Sequence, residues 1–362
     1  MAITAVLLVH GLSEVMQHNF DAMLLHPVSR FIAITFLNFG RGVEVFFVIS
    51  GYILARPFYR QYRNNGHKVA LGKYYLRRVT RLEPPYILSL VIYSVARIAM
   101  LHESVRQIAP HFLADVFYLH RYIYFHHHPA IIINLVVWSL ELEIQFYIIA
   151  PLLGRLYMIP NMYLRRAVII GLMLFFMITS ARGWVHGYFL LTPYMFMQYF
   201  LAGFLLADIL EHPRHTSRQH WAWDIVSLVG WPLIFINATT IQTLYFLPIP
   251  IFFVFLAAFY GKASNWFFRQ PFVAITGGMC YSFYLMHLLA YSVGFRIIRH
   301  WTLPSAIATV VVQLALLLVF VYIVGLIYYV IIERPCMDPQ WPQKLWRRVH
   351  HLFAANRSHV AP

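Results

Sequence analysis

Long apolar runs, separated by short polar loops, are the feature of this 362-residue chain that most constrains its fold. A helix that crosses a bilayer needs about 20 mainly apolar residues, and the length of the chain suits roughly ten such crossings. Barrel strands would instead alternate apolar and polar residues, which these runs do not do. The sequence therefore predicts an all-α fold, a polytopic membrane helical bundle of about ten transmembrane helices.

Only 11 % of the residues are charged, well below the roughly 25 % that is typical of soluble domains. Several apolar segments need flanking residues to reach the length of a full crossing. In chain order the segments are Ala2–Leu12, Val43–Leu54, Pro84–Leu101, Ile131–Leu153, Val168–Thr179, Tyr188–Leu210, Ile225–Ala238, Leu244–Tyr260, Phe272–Ile298 and Leu303–Ile332.

The basic residues are distributed unequally between two sets of loops. If the N-terminus lies in the cytoplasm, the cytoplasmic segments hold 20 of the 28 Lys and Arg residues. Cytoplasmic loops carry such an excess, so the pattern predicts that both termini are cytoplasmic. The same rule explains the formal charge of +15. We therefore predict that the basic residues contact membrane lipids and that the protein binds no nucleic acid. We predict one membrane domain, 1–335, and a basic cytoplasmic tail, 336–362.

Several classes of protein are disfavoured by the absence of their motifs. Two cysteines, Cys280 and Cys336, provide neither a disulfide framework nor a Cys-x-x-Cys motif. No phosphate loop or dinucleotide fingerprint is present. The histidines of the third loop, including the run 126–128, lack acid or cysteine partners at metal-ligand spacing, so we predict no metal site. No basic segment precedes Ala5, which argues against a signal peptide.

Five ionisable residues lie inside or at the edge of the apolar segments: His10, Glu44, Glu141, Glu143 and His287. Such groups cost several kcal/mol in lipid, so they usually face a bundle interior or a watery cavity. With ten crossings, His10 and His287 would lie in the outer halves of the first and ninth helices. Glu44 would open the second helix at the outer face, and Glu143 would lie near mid-membrane. We therefore predict a cavity open to the outside.

A histidine is the natural general base near neutral pH, because its ordinary pKa is about 6.5. Glu14 lies four residues after His10 and could orient the ring on a continuing helix. The alternative for His10 and His287 is a structural hydrogen bond to a neighbouring helix. Glu44 and Glu141 could likewise snorkel or line a polar seam.

The basic stretch KYYLRRVTRLEPPY predicts a helix that ends at the pair Pro84 and Pro85. Arg78 and Arg81 are three residues apart on it, and Arg77 and Arg81 are four apart, so each pair shares a face. Guanidinium groups match phosphate oxygens bidentately, which indicates a cytoplasmic phosphate clamp. The alternative is a basic anchor that contacts anionic lipid.

Five blocks of sequence resemble the acyltransferase-3 family of bacterial membrane O-acyltransferases. Their order and spacing extend over nearly the whole chain. The blocks are GVEVFFVISGYIL, KYYLRRVTRLEPPY, VWSLELEIQFYIIAPLL, GGMCYSFYLMHLL and IIERP.

The resemblance implies transfer of an acyl group, most often acetyl, from cytoplasmic acyl-CoA to a hydroxyl of a carbohydrate or glycolipid. The acceptor would lie at or beyond the outer face of a bacterial inner membrane, and acyl-CoA would be a substrate rather than a bound cofactor. Two alternatives remain: a transporter or flippase that moves a glycan without chemistry, and the same fold with a succinyl or longer acyl donor.

The resemblance also assigns residues. His10 matches the catalytic histidine of the first helix, and Arg78 with Arg81 matches the R-x-x-R motif of the acyl-CoA side. Glu143 takes the place of the acid in the W-S-L-x-x-E-x-x-F-Y block. His287 takes that of the histidine in the Y-x-x-Y-L-x-H block. Trp138 and Ser139 begin the W-S-L block and are expected to support the site, together with Glu14 and Glu44. Arg77 is expected to bind acyl-CoA with Arg78 and Arg81.

Three positions depart from the pattern of the family. Cys280 stands where serine is commoner, and Glu44 stands where aspartate is commoner. The family usually carries an arginine eleven residues before the histidine, a position that would precede Met1. We expect either an upstream start that restores this arginine or a chain that has lost this part of the site.

Overall fold

The computed structural model describes residues 1–24, 38–64, 66–124, 131–184, 192–212, 219–236, 245–338 and 340–344. These residues form helices and turns, and no strand occurs among them. The longer helices are α1 (Ala2–Leu24), α2 (Gly42–Arg63), α3 (Leu71–Leu101), α4 (Val105–Val116), α5 (His120–Tyr124), α6 (Val137–Gly154), α7 (Met162–Ala181), α8 (Met197–Leu210), α9 (Ala222–Ile236), α10 (Pro248–Tyr260), α11 (Lys262–Phe268), α12 (Pro271–Gly278), α13 (Cys280–Ile298) and α14 (Ala306–Tyr328).

Most of these helices coincide with the predicted apolar segments. Six are long and apolar enough to cross a membrane, and the number reaches eight if each bent pair counts as one span. The bent pairs are α10 with α11, at 87°, and α12 with α13, at 72°. Parts of α1 and α9 are apolar but shorter. These counts apply to the described residues, and both the ten crossings and the position of the termini stay predictions.

The helices surround two hydrophobic cores. One core is built mainly from α2, α6, α7, α8 and α10. The other is built mainly from α1, α3, α13 and α14. Helix α6 contributes to both, since Leu142 and Phe146 belong to the first core and Val137 and Leu140 to the second. The candidate site lies along α6, where the two cores meet.

Two glycines let α2 and α8 cross in backbone contact. A Cβ atom on Gly51 would lie 2.3 Å from the carbonyl oxygen of Phe200. A Cβ atom on Gly203 would lie 2.4 Å from the backbone nitrogen of Tyr52. Small residues bring membrane helices close enough for extensive van der Waals packing, which replaces the hydrophobic drive that lipid removes. This crossing fixes α2, which carries part of the site.

The predicted end of the basic helix at Pro84 and Pro85 is wrong, because α3 runs without a break from Leu71 to Leu101. Pro84 has no N–H to donate to the carbonyl of Thr80 one turn earlier. The indole Nε1 of Trp341 donates to that oxygen instead, at 2.8 Å. A side chain from the C-terminal segment therefore satisfies a backbone group that the proline leaves open.

Three other boundaries differ from the prediction. Helix α1 continues to Leu24 rather than ending near Leu12, and a bend divides the predicted Phe272–Ile298 segment into α12 and α13. Helix α6 begins at Val137 rather than Ile131, because the Asn134 side chain accepts from the Val136 N–H and donates to the Leu285 carbonyl.

The predicted third loop contains helices. Ser104 and Gln107 form a capping box that starts α4, and the SVRQ sequence signals it. After α4, the Tyr118 hydroxyl donates to Glu83 of α3 at 3.0 Å. The ring of Tyr118 also stacks on Tyr86, with ring centres 4.9 Å apart. Tyr118, just after α4, is therefore packed against α3. The run 126–128 lies outside the described residues.

Candidate active site

Two histidines from distant parts of the sequence meet inside the bundle. The ring centres of His10 on α1 and His287 on α13 lie 5.1 Å apart, with an interplanar angle of 49°. His287 is completely buried, and His10 is partly buried. The prediction that these residues share a site is consistent with this geometry. Glu14 lies one turn after His10 on the same helix, as its spacing predicts.

The contact between α1 and α13 positions the histidine pair. The Tyr291 hydroxyl of α13 donates to the Leu7 carbonyl of α1 at 2.7 Å. Gly11 makes room for this tyrosine, because a Cβ atom there would lie 3.0 Å from Cζ of Tyr291. A glycine directly after His10 therefore lets the two histidine-bearing helices approach closely.

The proton on the His287 ring can be assigned from its partners. Nδ1 lies 3.0 Å from the Phe283 carbonyl and 2.8 Å from the Tyr284 carbonyl. Carbonyl oxygens only accept, so Nδ1 carries the hydrogen and Nε2 of the neutral ring is an acceptor. Nε2 is buried, and no described residue donates to it. The side chain thus offers one unsatisfied acceptor beside His10.

Glu143 of α6 does not pair with either histidine. Its Oε1 atom accepts hydrogen bonds from the Ser50 hydroxyl of α2 at 2.7 Å and the Tyr147 hydroxyl at 2.6 Å. Ser50 and Tyr147 were not among the predicted site residues. The spacing of Glu143 and Tyr147, four residues apart within one helix, is a signal that could have identified the tyrosine.

Tyr147 links the glutamate to the predicted clamp. The Arg78 guanidinium carbon lies 5.3 Å from the centre of the Tyr147 ring and 3.7 Å from that of Tyr74. Arg78 Nη1 also donates to the Tyr74 carbonyl at 2.9 Å. Arg78 is therefore half-buried against α6, whereas Arg77 and Arg81 are exposed. Of the three predicted clamp residues, Arg78 is therefore held in place by its contacts, whereas Arg77 and Arg81 are accessible to solvent or to a ligand.

The other end of the same α6 face reaches toward the histidines. The hydroxyls of Ser139 and Tyr284 lie 2.6 Å apart. Tyr284 also accepts from His287 through its backbone carbonyl. Trp138, beside Ser139, packs its ring against Phe47, with ring centres 6.4 Å apart. The predicted supporting residues of the W-S-L block therefore connect α6 to α13 and α2.

Ser139, Glu143 and Tyr147 are spaced four residues apart, so they occupy one face of α6 over about 12 Å. We call these three side chains, with Arg78 at one end and Tyr284 at the other, the polar track. It connects α3, which carries Arg78, with the histidine pair and passes through the junction of the two cores.

Two of the predicted acids lie apart from the polar track. Glu44 in the first turn of α2 accepts from Arg41 at 3.4 Å, and its Oε2 atom is buried without a donor among the described residues. Glu141 is 1 % exposed, with the Arg121 N–H 3.5 Å from Oε1 and no described donor to Oε2. Within the described part of the chain, no group of three or more metal-ligating residues occurs.

A multi-pass helical bundle with buried histidines along its interior is the class of protein that this fold and site define. The sequence profile of the acyltransferase-3 family, described as an acyltransferase domain, matches residues 1–330. The chain belongs to this family.

The chain is also similar to named O-acetyltransferases. It is 30 % identical to the peptidoglycan O-acetyltransferase OatA of Listeria monocytogenes over 36 % of this chain and 22 % of the relative. It is 27 % identical to the O-acetyltransferase OatA of Staphylococcus aureus over 31 % of this chain and 19 % of the relative. The matched region thus spans about a fifth of each relative. No solved structure matches the chain.

Proposed function

We propose that the protein is a membrane O-acyltransferase that moves an acetyl group from cytoplasmic acetyl-CoA to a hydroxyl of a cell-envelope carbohydrate or glycolipid. The membership of the acyltransferase-3 family and the names of the relatives support this proposal. The observation that carries it is the polar track, which extends from the Arg78 guanidinium group to the pair formed by His10 and His287.

The topology belongs to the same proposal. Ten crossings with both termini in the cytoplasm of a bacterial inner membrane would put the arginines of α3 on the cytoplasmic side. The histidine pair would then lie deeper in the membrane, along the length of α6. A donor held at the arginines through its phosphates could extend its pantetheine arm along the polar track, with the thioester at the histidines.

The chemistry needs one base and one group to orient it. His10 removes the proton from the acceptor hydroxyl as the oxygen attacks the carbonyl carbon of the thioester. The C–S bond breaks, and the proton passes from His10 to the departing thiolate, which leaves as CoA thiol. Two backbone carbonyls fix the Nδ1–H of His287. Its Nε2 atom therefore faces the site as a hydrogen-bond acceptor next to His10, where it can orient that ring. Glu143 contributes a carboxyl group to the track, and two hydroxyl donors hold it in place.

The test is acetylation of envelope carbohydrate in cells that express the protein. Acetate released by mild alkali from that carbohydrate should rise with the wild-type protein and stay at background with His10→Ala. The matched control is His300→Ala, which removes an exposed histidine outside the site and should retain activity. If the His10→Ala variant acetylated the carbohydrate as well as the wild type at equal expression, His10 would not be the general base.

Purified protein separates an enzyme from a transporter. The wild type in lipid nanodiscs should release CoA thiol from acetyl-CoA when acceptor carbohydrate is present, whereas a transporter would leave the thioester intact. The same assay with succinyl-CoA and longer acyl-CoA donors compares their rates of CoA release and identifies the acyl group that the protein transfers.

A further inference from the structure

A separate cavity of about 400 Å³ lies at the C-terminal end of α2. It is formed by one face of α2 and by the segment that precedes α3. Its lining residues are Ile53, Arg56, Pro57, Arg60, Gly66, His67 and Val69. None of these residues belongs to the polar track or to the R-x-x-R stretch.

Glu211, after the end of α8, holds both arginines of this cavity in place. Its Oε1 atom accepts from Arg56 Nε at 2.6 Å, and its Oε2 atom accepts from Arg60 Nε at 2.8 Å. The Arg56 guanidinium also lies 5.5 Å from the centre of the Tyr52 ring. Arg60 Nη2 also donates to Oε1, at 3.4 Å. No described residue accepts from the terminal nitrogens of Arg56 or from Nη1 of Arg60, so these donors are oriented by Glu211 and remain available to a ligand.

The segment that precedes α3 is also held against α2. The Gly66 N–H donates to the Arg60 carbonyl at 2.8 Å, and the Val69 N–H donates to the Gln61 side chain at 2.6 Å. A Cβ atom on Gly66 would lie 2.7 Å from the Arg60 carbonyl oxygen, so only glycine allows this approach. Backbone contacts therefore position the lining residues from both segments.

The charge of the cavity is positive. Burial raises the pKa of Glu211, but hydrogen bonds from Arg60 and Arg56 outweigh it and hold that pKa below its ordinary range. The carboxylate is therefore ionised near neutral pH, and two guanidinium groups exceed it by one positive charge. His67 adds a further donor to the lining.

We propose that this cavity binds a phosphate group, carried either by the nucleotide part of CoA or by the headgroup of a phospholipid. Both terminal nitrogens of Arg56 and Nη1 of Arg60 have no described acceptor, and preoriented guanidinium groups match the oxygens of a phosphate, which accept bidentate hydrogen bonds. The first source rests on the proposed function, whereas the second does not. The site is distinct from Arg78, which is engaged by the rings of Tyr74 and Tyr147.

The first experiment compares binding of CoA and dephospho-CoA to detergent-purified protein by calorimetry. If the cavity holds the 3′-phosphate of CoA, the double variant Arg56→Gln, Arg60→Gln should weaken CoA binding about tenfold. The same variant should leave the affinity for dephospho-CoA, which lacks this phosphate, unchanged. Arg56→Lys with Arg60→Lys keeps the charge but loses the fork, and should recover only part of the affinity.

The second experiment addresses the lipid source. The melting temperature of the wild type is measured in nanodiscs of phosphatidylcholine with and without phosphatidylglycerol. A headgroup in the cavity predicts an increase with phosphatidylglycerol that the glutamine double variant loses. This readout does not depend on turnover, so a failure of the proposed function would leave it intact.

The matched control is Arg63→Gln, one turn further along α2. Arg63 donates to the Pro160 carbonyl and does not line the cavity. It should change neither CoA affinity nor the response to lipid. If the glutamine double variant changes neither measurement, or if Arg63→Gln has the same effect as the double variant, the proposal of a specific phosphate site is wrong.

Discussion

Two regions of the described structure hold buried ionisable groups that differ in how completely their hydrogen bonds are satisfied. Between α7 and α8, Asp208 is completely buried and forms ion pairs with Arg165 and, at 2.7 Å, with Arg166. Arg165 also donates to the Ile159 carbonyl at 2.8 Å. A fully partnered cluster of this kind compensates the cost of removing charges from water.

The region around the histidine pair and the start of α6 differs. Buried atoms without a described donor or acceptor include Nε2 of His287, Oε2 of Glu44, Oε2 of Glu141 and Nη1 of Arg121. Buried polar groups are nearly always paired, so an unpaired one costs free energy and calls for an explanation. The contrast indicates that the α7–α8 cluster stabilises the fold, whereas the second region retains groups that a substrate or water can satisfy.

After His10 itself, the largest effect on activity is expected from His287→Phe, which keeps a ring but removes both ring nitrogens. We expect kcat to fall about a hundredfold, because His10 loses the neighbouring acceptor Nε2. The melting temperature should fall by a few degrees, because the Nδ1–H bonds to the Phe283 and Tyr284 carbonyls are lost as well. Unaltered kcat would show that this histidine only fills space between helices.

The largest effect on stability is expected from Asp208→Ala. It leaves Arg165, which is 1 % exposed, as an uncompensated buried charge and should cost about 3–5 kcal/mol. Arg166→Gln is the matched variant and should cost less, since 27 % of the Arg166 side chain is exposed. Chemical denaturation in detergent measures both. Equal losses would contradict the assignment of Arg165 as the critical partner.

Smaller effects are expected within the polar track. Tyr147→Phe and Ser50→Ala each remove one hydrogen bond to Glu143 Oε1 and should each lower kcat about tenfold. Tyr147→Phe keeps the ring beside Arg78, so the KM for acetyl-CoA should stay constant.

Tyr147→Leu removes the ring as well, and should raise that KM about fivefold by loss of the cation–π contact. A raised KM already in Tyr147→Phe would indicate that the hydroxyl, rather than the ring, positions the arginine. Steady-state kinetics with acetyl-CoA as the varied substrate separates the two cases.

The smallest effect concerns Glu211, outside the membrane helices. Its pKa is lower in the folded protein than its ordinary value of 4.5, so its stabilising contribution is present above that value. The contribution is lost as the pH falls through the folded pKa. Glu211→Gln should cost about 1 kcal/mol at pH 7 and flatten the decline in stability below pH 4.5. Melting temperatures of the wild type and of Glu211→Gln, measured across this pH range, test whether the wild type loses more stability as the pH falls.

The sequence allowed the helical architecture and the principal polar residues to be predicted. Apolar runs mark helices because a bilayer imposes their length, and His10, Glu143 and His287 stand out because charge in lipid is costly. Their partners could not be predicted in the same way. That Glu143 pairs with Ser50 of α2, while His10 meets His287, depends on how distant helices pack, and no local pattern encodes this.

The boundaries that were mispredicted have local causes. Two adjacent prolines usually end a helix, but α3 continues through them, and the distant Trp341 side chain satisfies the Thr80 carbonyl that Pro84 leaves open. The start of α6 depends on the side-chain contacts of Asn134 with α13. In contrast, the capping box at Ser104 was present in the sequence and could have indicated α4.

The backbone of α3 around its proline pair receives hydrogen bonds from three remote segments. Trp341 donates to Thr80 at 2.8 Å, and Tyr281 donates to Leu82 at 3.0 Å. Tyr328 donates to the carbonyl of Pro85. Sliding α3 by one turn along the bundle would break all of these bonds together. The axial distance between Arg78 and the histidine pair is therefore fixed, and under the proposed function it would set the length of the donor molecule that can bind at both.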